Sequence, residues 1–222
     1  MTSFALKIIA AASMLLDHMG LLIFPQAGFL RVLGRLAFPI YAFCIAEGFY
    51  HTRNKGKYFM QIFLLGAVCQ LVYYIADGSM YLGVLITFSV SILLMWALER
   101  VKKAPAGERT VPALSFAALM VLTALLCHVM EVDYGFCGIM LPLLASISRE
   151  KRLRLTFFAL GLLALCLRLA HFGGMDVQWW SLCTLPLLWA YNGQPGKYRM
   201  KYFFYIFYPA HLAMLYLIAM FI

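Results

Sequence analysis

The sequence predicts an all-α integral membrane protein, a bundle of about nine transmembrane helices with its N-terminus cytoplasmic and its C-terminus outside. Three observations predict it. The 222 residues are 64% apolar and 12% charged, a mixture that cannot cover a water-soluble globule with polar surface. Apolar runs recur between charged or turn-forming breaks along the whole chain. Lysine and arginine crowd every second connection. A bilayer core of about 30 Å takes about 20 helical residues per crossing, so the length permits at most about ten. One transmembrane domain, residues 1–222, is expected.

The apolar runs fall near 4–24, 34–50, 58–76, 80–98, 111–130, 134–148, 153–172, 177–191 and 202–222. The first carries Lys7 as a lone basic residue and is long enough to span, so it reads as a retained helix and not a cleaved signal. The second contains Pro39, which frees a carbonyl and favours a kink. The sixth and eighth are short, about fifteen residues, and suit re-entrant or half-spanning helices. The ninth, KYFFYIFYPAHLAML onward, has Pro209 inside it.

Charge orders these runs across the membrane. One set of connections holds Arg53, Lys55 and Lys57; Arg100, Lys102, Lys103 and Arg109; Arg149, Lys151, Arg152 and Arg154; and Lys197, Arg199 and Lys201. The opposite set holds Asp77, Glu131, Asp133 and Asp176, with Arg31 and Arg35 as its basic pair. Short cytoplasmic loops are enriched in Lys and Arg, which places the N-terminus inside. Adding or deleting one span would put basic loops on opposite faces. Tyr50, Tyr58, Tyr73, Tyr74, Tyr81, Trp179 and Trp180 lie near run ends, where aromatic belts form. The net charge of +9 therefore follows membrane topology, and no nucleic-acid partner is expected. Cys44, Cys69, Cys127, Cys137, Cys166 and Cys183 lie in or beside apolar runs without a CxxC pair, as buried small hydrophobes would.

Ionisable groups inside lipid cost several kcal/mol unless paired or employed, so function is sought there. Lys7 and His18 are eleven residues apart, which returns to nearly the same helix face about 16 Å further along. A snorkelling Lys7 and an Asp17–His18 pair closing the helix is the plainer alternative. Arg31 and Arg35, four apart, can neutralise a carboxylate or hold an oxyanion; Asp17 is the nearby candidate, and a purely structural ion pair stays open. Glu47 and His51 share helical spacing of four. The segment HTRNKGKY, with Arg53, suits either cofactor phosphates or lipid headgroups. Tyr205, Tyr208 and His211 recur at spacings of three, and the depth of His211 argues for a polar cavity shared between helices. His128 and His171 lie near run ends and read as interfacial. There is no GxSxG, HExxH, P-loop or Gly-rich dinucleotide fingerprint, no metal site is expected, and the scattered histidines give no support to haem.

The stretches LKIIAAASMLLDHMG (6–20), LRVLGRLAFPIYAF (30–43), EGFYHTRN (47–54), YGFCGIMLPLL (134–144) and KYFFYIFYPAHL (201–212) resemble the TraX family, whose named member is associated with N-terminal acetylation of conjugative pilin. That family looks related to the multi-spanning membrane acyltransferases, many of which carry a basic residue, ten intervening residues and an essential histidine in the first span. Lys7 and His18 match that spacing. The resemblance implies an acyltransferase of the bacterial inner membrane taking an acetyl group from cytoplasmic acetyl-coenzyme A to an amine or hydroxyl at the outer face. The acceptor would be a peptide N-terminus, a glycan or a lipid headgroup.

In that mechanism His18, oriented by Asp17 or another carboxylate, would act as general base or carry the acyl group. Arg31, Arg35 or Lys7 would stabilise the thioester oxygen or hold the acceptor. Arg53, Lys55 and Lys201 would meet the phosphates of coenzyme A, with His51 at the start of that basic segment among the substrate- or donor-binding residues, while Glu47, Tyr208 and His211 would line the cavity. Two other readings compete: a small proton-coupled transporter or channel built on Asp17, Arg35, Glu47 and His211, and a membrane subunit whose ion pairs only hold helices together.

Overall fold

The computed structural model describes residues 1–78, 80–171, 176–197 and 201–221. These form ten α-helices: α1 (Ser3–Leu22), α2 (Gly28–Gly34), α3 (Ala37–His51), α4 (Lys55–Asp77), α5 (Val84–Lys103), α6 (Thr110–Val129), α7 (Gly135–Ala145), α8 (Lys151–His171), α9 (Thr184–Trp189) and α10 (Lys201–Ala219). Two 3₁₀ segments, Ala106–Glu108 and Asp176–Cys183, precede α6 and α9. Six segments are long and apolar enough to cross a membrane: Ser3–Leu22, Gly28–His51, Lys55–Ile75, Val84–Lys103, Thr110–Val129 and Lys151–Ala170. Gly135–Ala145 and Phe203–Ala219 are shorter apolar helices. The short sixth and eighth runs of the sequence thus become α7 and the 3₁₀–α9 pair, each too short to cross about 30 Å alone.

The expected second span, 34–50, differs most. It begins earlier and is broken at Arg35–Leu36 into α2 and α3. Pro39 lies in the first turn of α3, where an N–H would lack an intrahelical acceptor anyway, so it starts a helix rather than kinking one. The fourth run was expected to end at 98, but α5 continues through Glu99, Arg100, Lys102 and Lys103, because straight-chain charged residues are good helix formers and cations suit a helix C-terminus. Asn54 Oδ1 caps α4 by accepting from the Lys57 N–H at 2.8 Å, and Gly78 closes the same helix with φ of +65°.

The chain packs as two compact units, Met1–Cys44 with Glu150–Ile222, and Ile45–Arg149. Residues 37–44 of α3 belong to the first and the rest of α3 to the second. In the first unit α1 packs on α2 and α10, and α8 on the 3₁₀ segment and α9. Its core includes Leu6, Ile40, Phe158, Leu162, Leu188 and Leu212. Phe43 meets Phe158 and Tyr191 edge-on at 5.8 Å each, and the Arg154 guanidinium lies 4.0 Å over the Phe43 ring.

In the second unit α5 is central, touching α4, α6 and α7. Its buried polar residues are satisfied locally: Thr87 Oγ1 donates to the Asp133 carbonyl at 2.9 Å, and Ser91 Oγ reaches the Ile139 carbonyl at 2.8 Å and the Thr87 carbonyl at 3.0 Å. By contrast α6 exposes Val111, Leu114, Val121, Leu122, Leu125 and Val129. A helix that is apolar yet uncovered is at home in hydrocarbon, so lipid contact accounts for its composition. All six cysteines are free; Cys44, Cys69 and Cys166 are buried as expected, whereas Cys183 is exposed where the 3₁₀ segment meets α9.

Candidate functional site

Asp17 and His18 are neighbours on α1, so their side chains leave the helix about 100° apart and serve different partners. Residues 23–27 reverse the chain into α2, and two glycines allow the two helices to close on each other. A Cβ on Gly20 would come within 2.9 Å of the Leu30 Cβ, and one on Gly34 would run into the Asp17 side chain. That approach brings both arginines onto one carboxylate. Arg31 Nη1 lies 2.9 Å from Asp17 Oδ2 and also donates to the Asp17 carbonyl at 3.2 Å. Arg35 Nη2 donates to both Asp17 oxygens, at 2.6 Å to Oδ2. The three side chains are 10–15% exposed, so two cations and one anion share a site largely out of solvent.

Gln178 completes this cluster and was not singled out in the sequence. It lies in the 3₁₀ segment, is 4% exposed, and its Oε1 accepts from Arg35 Nη1 at 3.5 Å. Its only sequence signal is an amide inside an apolar stretch, VQWW, which is a polar group in need of a partner.

His18 turns instead to α10. Its Nδ1 is 2.8 Å from His211 Nε2, with 20° between the ring planes. His211 Nδ1 is 2.8 Å from the Phe207 carbonyl one turn earlier, and His211 is buried. The carbonyl accepts only, so His211 Nδ1 carries a proton. With His211 neutral, its Nε2 accepts, and His18 Nδ1 must donate to it. The remaining lone pair is then on His18 Nε2, which no described residue hydrogen-bonds. Phe207 stacks on His211 at 4.9 Å and 12°, and Tyr208 meets it edge-on at 5.6 Å. These rings fix the imidazole plane.

The sequence expectation that a carboxylate orients His18 gives way here to a second histidine, because Asp17 is taken up by Arg31 and Arg35. Lys7 stands on α1 eleven residues before His18, half-buried and about 16 Å away along the axis. Glu47, His51 and Arg53 belong to the second unit. There Glu47 Oε1 lies 3.2 Å from His51 Nε2, and both His51 and Arg53 are exposed. The side chains of Asp77, His171, Asp176, Arg199 and Lys201 lie outside the described residues. Among the described residues no group of three or more His, Cys, Asp or Glu is arranged to hold a metal.

Fold and site together define a polytopic helical membrane protein with a histidine pair joining its first and last helices. Comparison with known proteins narrows this. The family described as TraX protein matches residues 3–219, and the chain belongs to that family. It is 30% identical to the probable fimbrial assembly protein FimC, serogroup H1, of Dichelobacter nodosus, over 96% of this chain and 94% of the relative. It is 26% identical to protein TraX of Escherichia coli, over 97% of this chain and 86% of that protein. No solved structure matches.

Proposed function

We propose that this protein is an acyltransferase of the bacterial inner membrane that moves an acetyl group from acetyl-coenzyme A to the N-terminal amine of a fimbrial or pilin-like subunit. The observation that carries the reading is the His18–His211 hydrogen bond, because its proton order leaves His18 Nε2 as a base. The names of the relatives, one for fimbrial assembly and one TraX, supply the acceptor class.

The step balances with groups of this chain. His18 Nε2 takes a proton from the acceptor amine as its nitrogen attacks the thioester carbonyl carbon. The C–S bond breaks, and the imidazolium returns the proton to the departing thiolate. Positive charge arising on His18 is shared through Nδ1 with His211, whose far proton is held by the Phe207 carbonyl. Arg31 and Arg35, both ion-paired to Asp17, hold α1 against α2 so that His18 stays aimed at α10. On this reading the nine apolar runs traverse or enter the bilayer with the basic connections and the N-terminus in the cytoplasm and the C-terminus outside.

The test is acetyl transfer by the full chain purified in detergent, with acetyl-coenzyme A and a synthetic peptide bearing a free N-terminus, read as free thiol release and peptide mass. The wild type acetylates the peptide, and His18→Ala abolishes transfer while keeping its circular dichroism and melting profile. Full turnover by folded His18→Ala sinks the assignment. Absence of coenzyme A binding, together with proton flux in liposomes that depends on Asp17 and His211, would establish the transporter reading instead.

A further inference from the structure

Within the second unit, a pocket of about 270 Å³ opens where the last turn of α3, the C-terminal half of α5 and the turn after α7 converge. Its apolar lining includes Phe49, Met95 and Ile147, and its charged lining is Lys102, Lys103 and Arg149 with the carboxylate of Glu99. Lys55 lies within electrostatic reach of Glu99, Lys103 and Arg149. The walls are fixed. Tyr50 donates its hydroxyl proton to the Ser146 carbonyl at 2.5 Å, and Lys102 Nζ donates to the Ile147 carbonyl at 2.7 Å.

Three helix C-termini meet here, and cations at such ends are ordinarily accounted for by the carbonyls they cover. That explains one N–H of Lys102 and, through the Phe49 carbonyl, one of Lys55. It leaves two N–H groups on each ammonium. Lys103 is held by Glu99 at 2.8 Å. Arg149 has no hydrogen bond or ion pair among the described residues; its guanidinium stacks 5.0 Å over the Tyr50 ring. A guanidinium stacked on a fixed aromatic face presents its planar N–H fork edge-on, the geometry that grips a phosphate with two parallel bonds. The donors that remain on Arg149 and Lys102 thus line one small space together with apolar side chains.

We infer that this pocket binds a phosphate ester, with the phosphate between Arg149 and Lys102 and the ester's carbon portion over Phe49 and Met95. A water-soluble phosphate compound and an anionic phospholipid headgroup share this chemistry. The site involves neither His18 nor His211, and its test reads binding alone, so its failure is distinguishable from failure of the acyl-transfer reading.

The experiment uses the full chain in an uncharged maltoside detergent and, separately, in phosphatidylcholine nanodiscs with and without phosphatidylglycerol. Inorganic pyrophosphate is titrated calorimetrically in the first, and retained phosphatidylglycerol is counted by native mass spectrometry in the second. Arg149→Gln with Lys102→Gln should weaken the binding observed by about tenfold or more. Glu99→Gln, which removes the pocket's carboxylate, should tighten it several-fold, a gain that misfolding does not produce. Arg109→Gln, outside the pocket, should leave it unchanged. Pyrophosphate binding with this pattern identifies a soluble ester, and the same pattern seen only for phosphatidylglycerol identifies a lipid. If neither probe binds, or if binding ignores both Arg149→Gln with Lys102→Gln and Glu99→Gln, the site is refuted.

Discussion

Replacing Asp17 by Asn tests whether the α1–α2 hairpin rests on its ion cluster. The substitution keeps size and one acceptor oxygen but removes the charge facing Arg31 and Arg35, whose side chains are 14% and 10% exposed. Breaking a buried pair by removing one partner costs about 3–5 kcal/mol, because the surviving charge stays desolvated. Here two cations survive, but the Arg31 and Asp17 carbonyls and Gln178 Oε1 still accept from them. A loss of about 3–5 kcal/mol is therefore expected, not twice that. Equilibrium unfolding in mixed micelles, followed by tryptophan fluorescence, gives the number. Combining Asp17→Asn with Arg35→Gln should cost well under the sum of the two single changes, since the second removes a charge the first has stranded. An Asp17→Asn protein within about 1 kcal/mol of wild type, or strict additivity in the cycle, would refute the reasoning.

Gly34→Ala drives a methyl into the Asp17 side chain and should destabilise by about 1–3 kcal/mol, whereas Gly28→Ala, with open space around it, should be tolerated; thermal melts of the two variants compare them. His211→Ala should lower acetyl transfer by about a hundredfold by releasing the tautomer of His18, while His211→Gln, whose amide can still accept from His18, should recover part of it in the same assay. Tyr81→Phe deletes the 2.6 Å hydrogen bond to Asp133 Oδ1 between the loops before α5 and α7, and should cost about 1 kcal/mol in denaturant unfolding without touching transfer.

Most helices were legible in the sequence because apolar runs and basic punctuation carry the same information twice. The exceptions have physical causes. The α2–α3 break was hidden because the apolar run was read from residue 34, which left Arg31 and Arg35 in the connection before it, and the arginine cluster with Asp17 accounts for the turn at Arg35. The end of α5 was hidden because apolarity stops before helix propensity does. In the site, Asp17, Arg31 and Arg35 could be grouped from spacing and charge alone. The direction of His18 could not: adjacency made Asp17 the apparent partner, and the 100° step of a helix sent the imidazole elsewhere. His211 was recognised by its depth but not as that partner, since nothing local relates α1 to a helix nearly the whole chain away. Gln178 passed unnoticed for the same reason.

The two imidazoles are 193 residues apart in sequence, one on α1 and the other on α10. At about 5–20 residues per second, His18 enters the membrane on the order of ten seconds or more before its partner exists. A nascent or truncated chain therefore holds an unpartnered imidazole with no fixed proton order. The histidine pair, and on the acyl-transfer reading the base that it orders, is complete only once α10 has inserted, so the order of synthesis delays it until then.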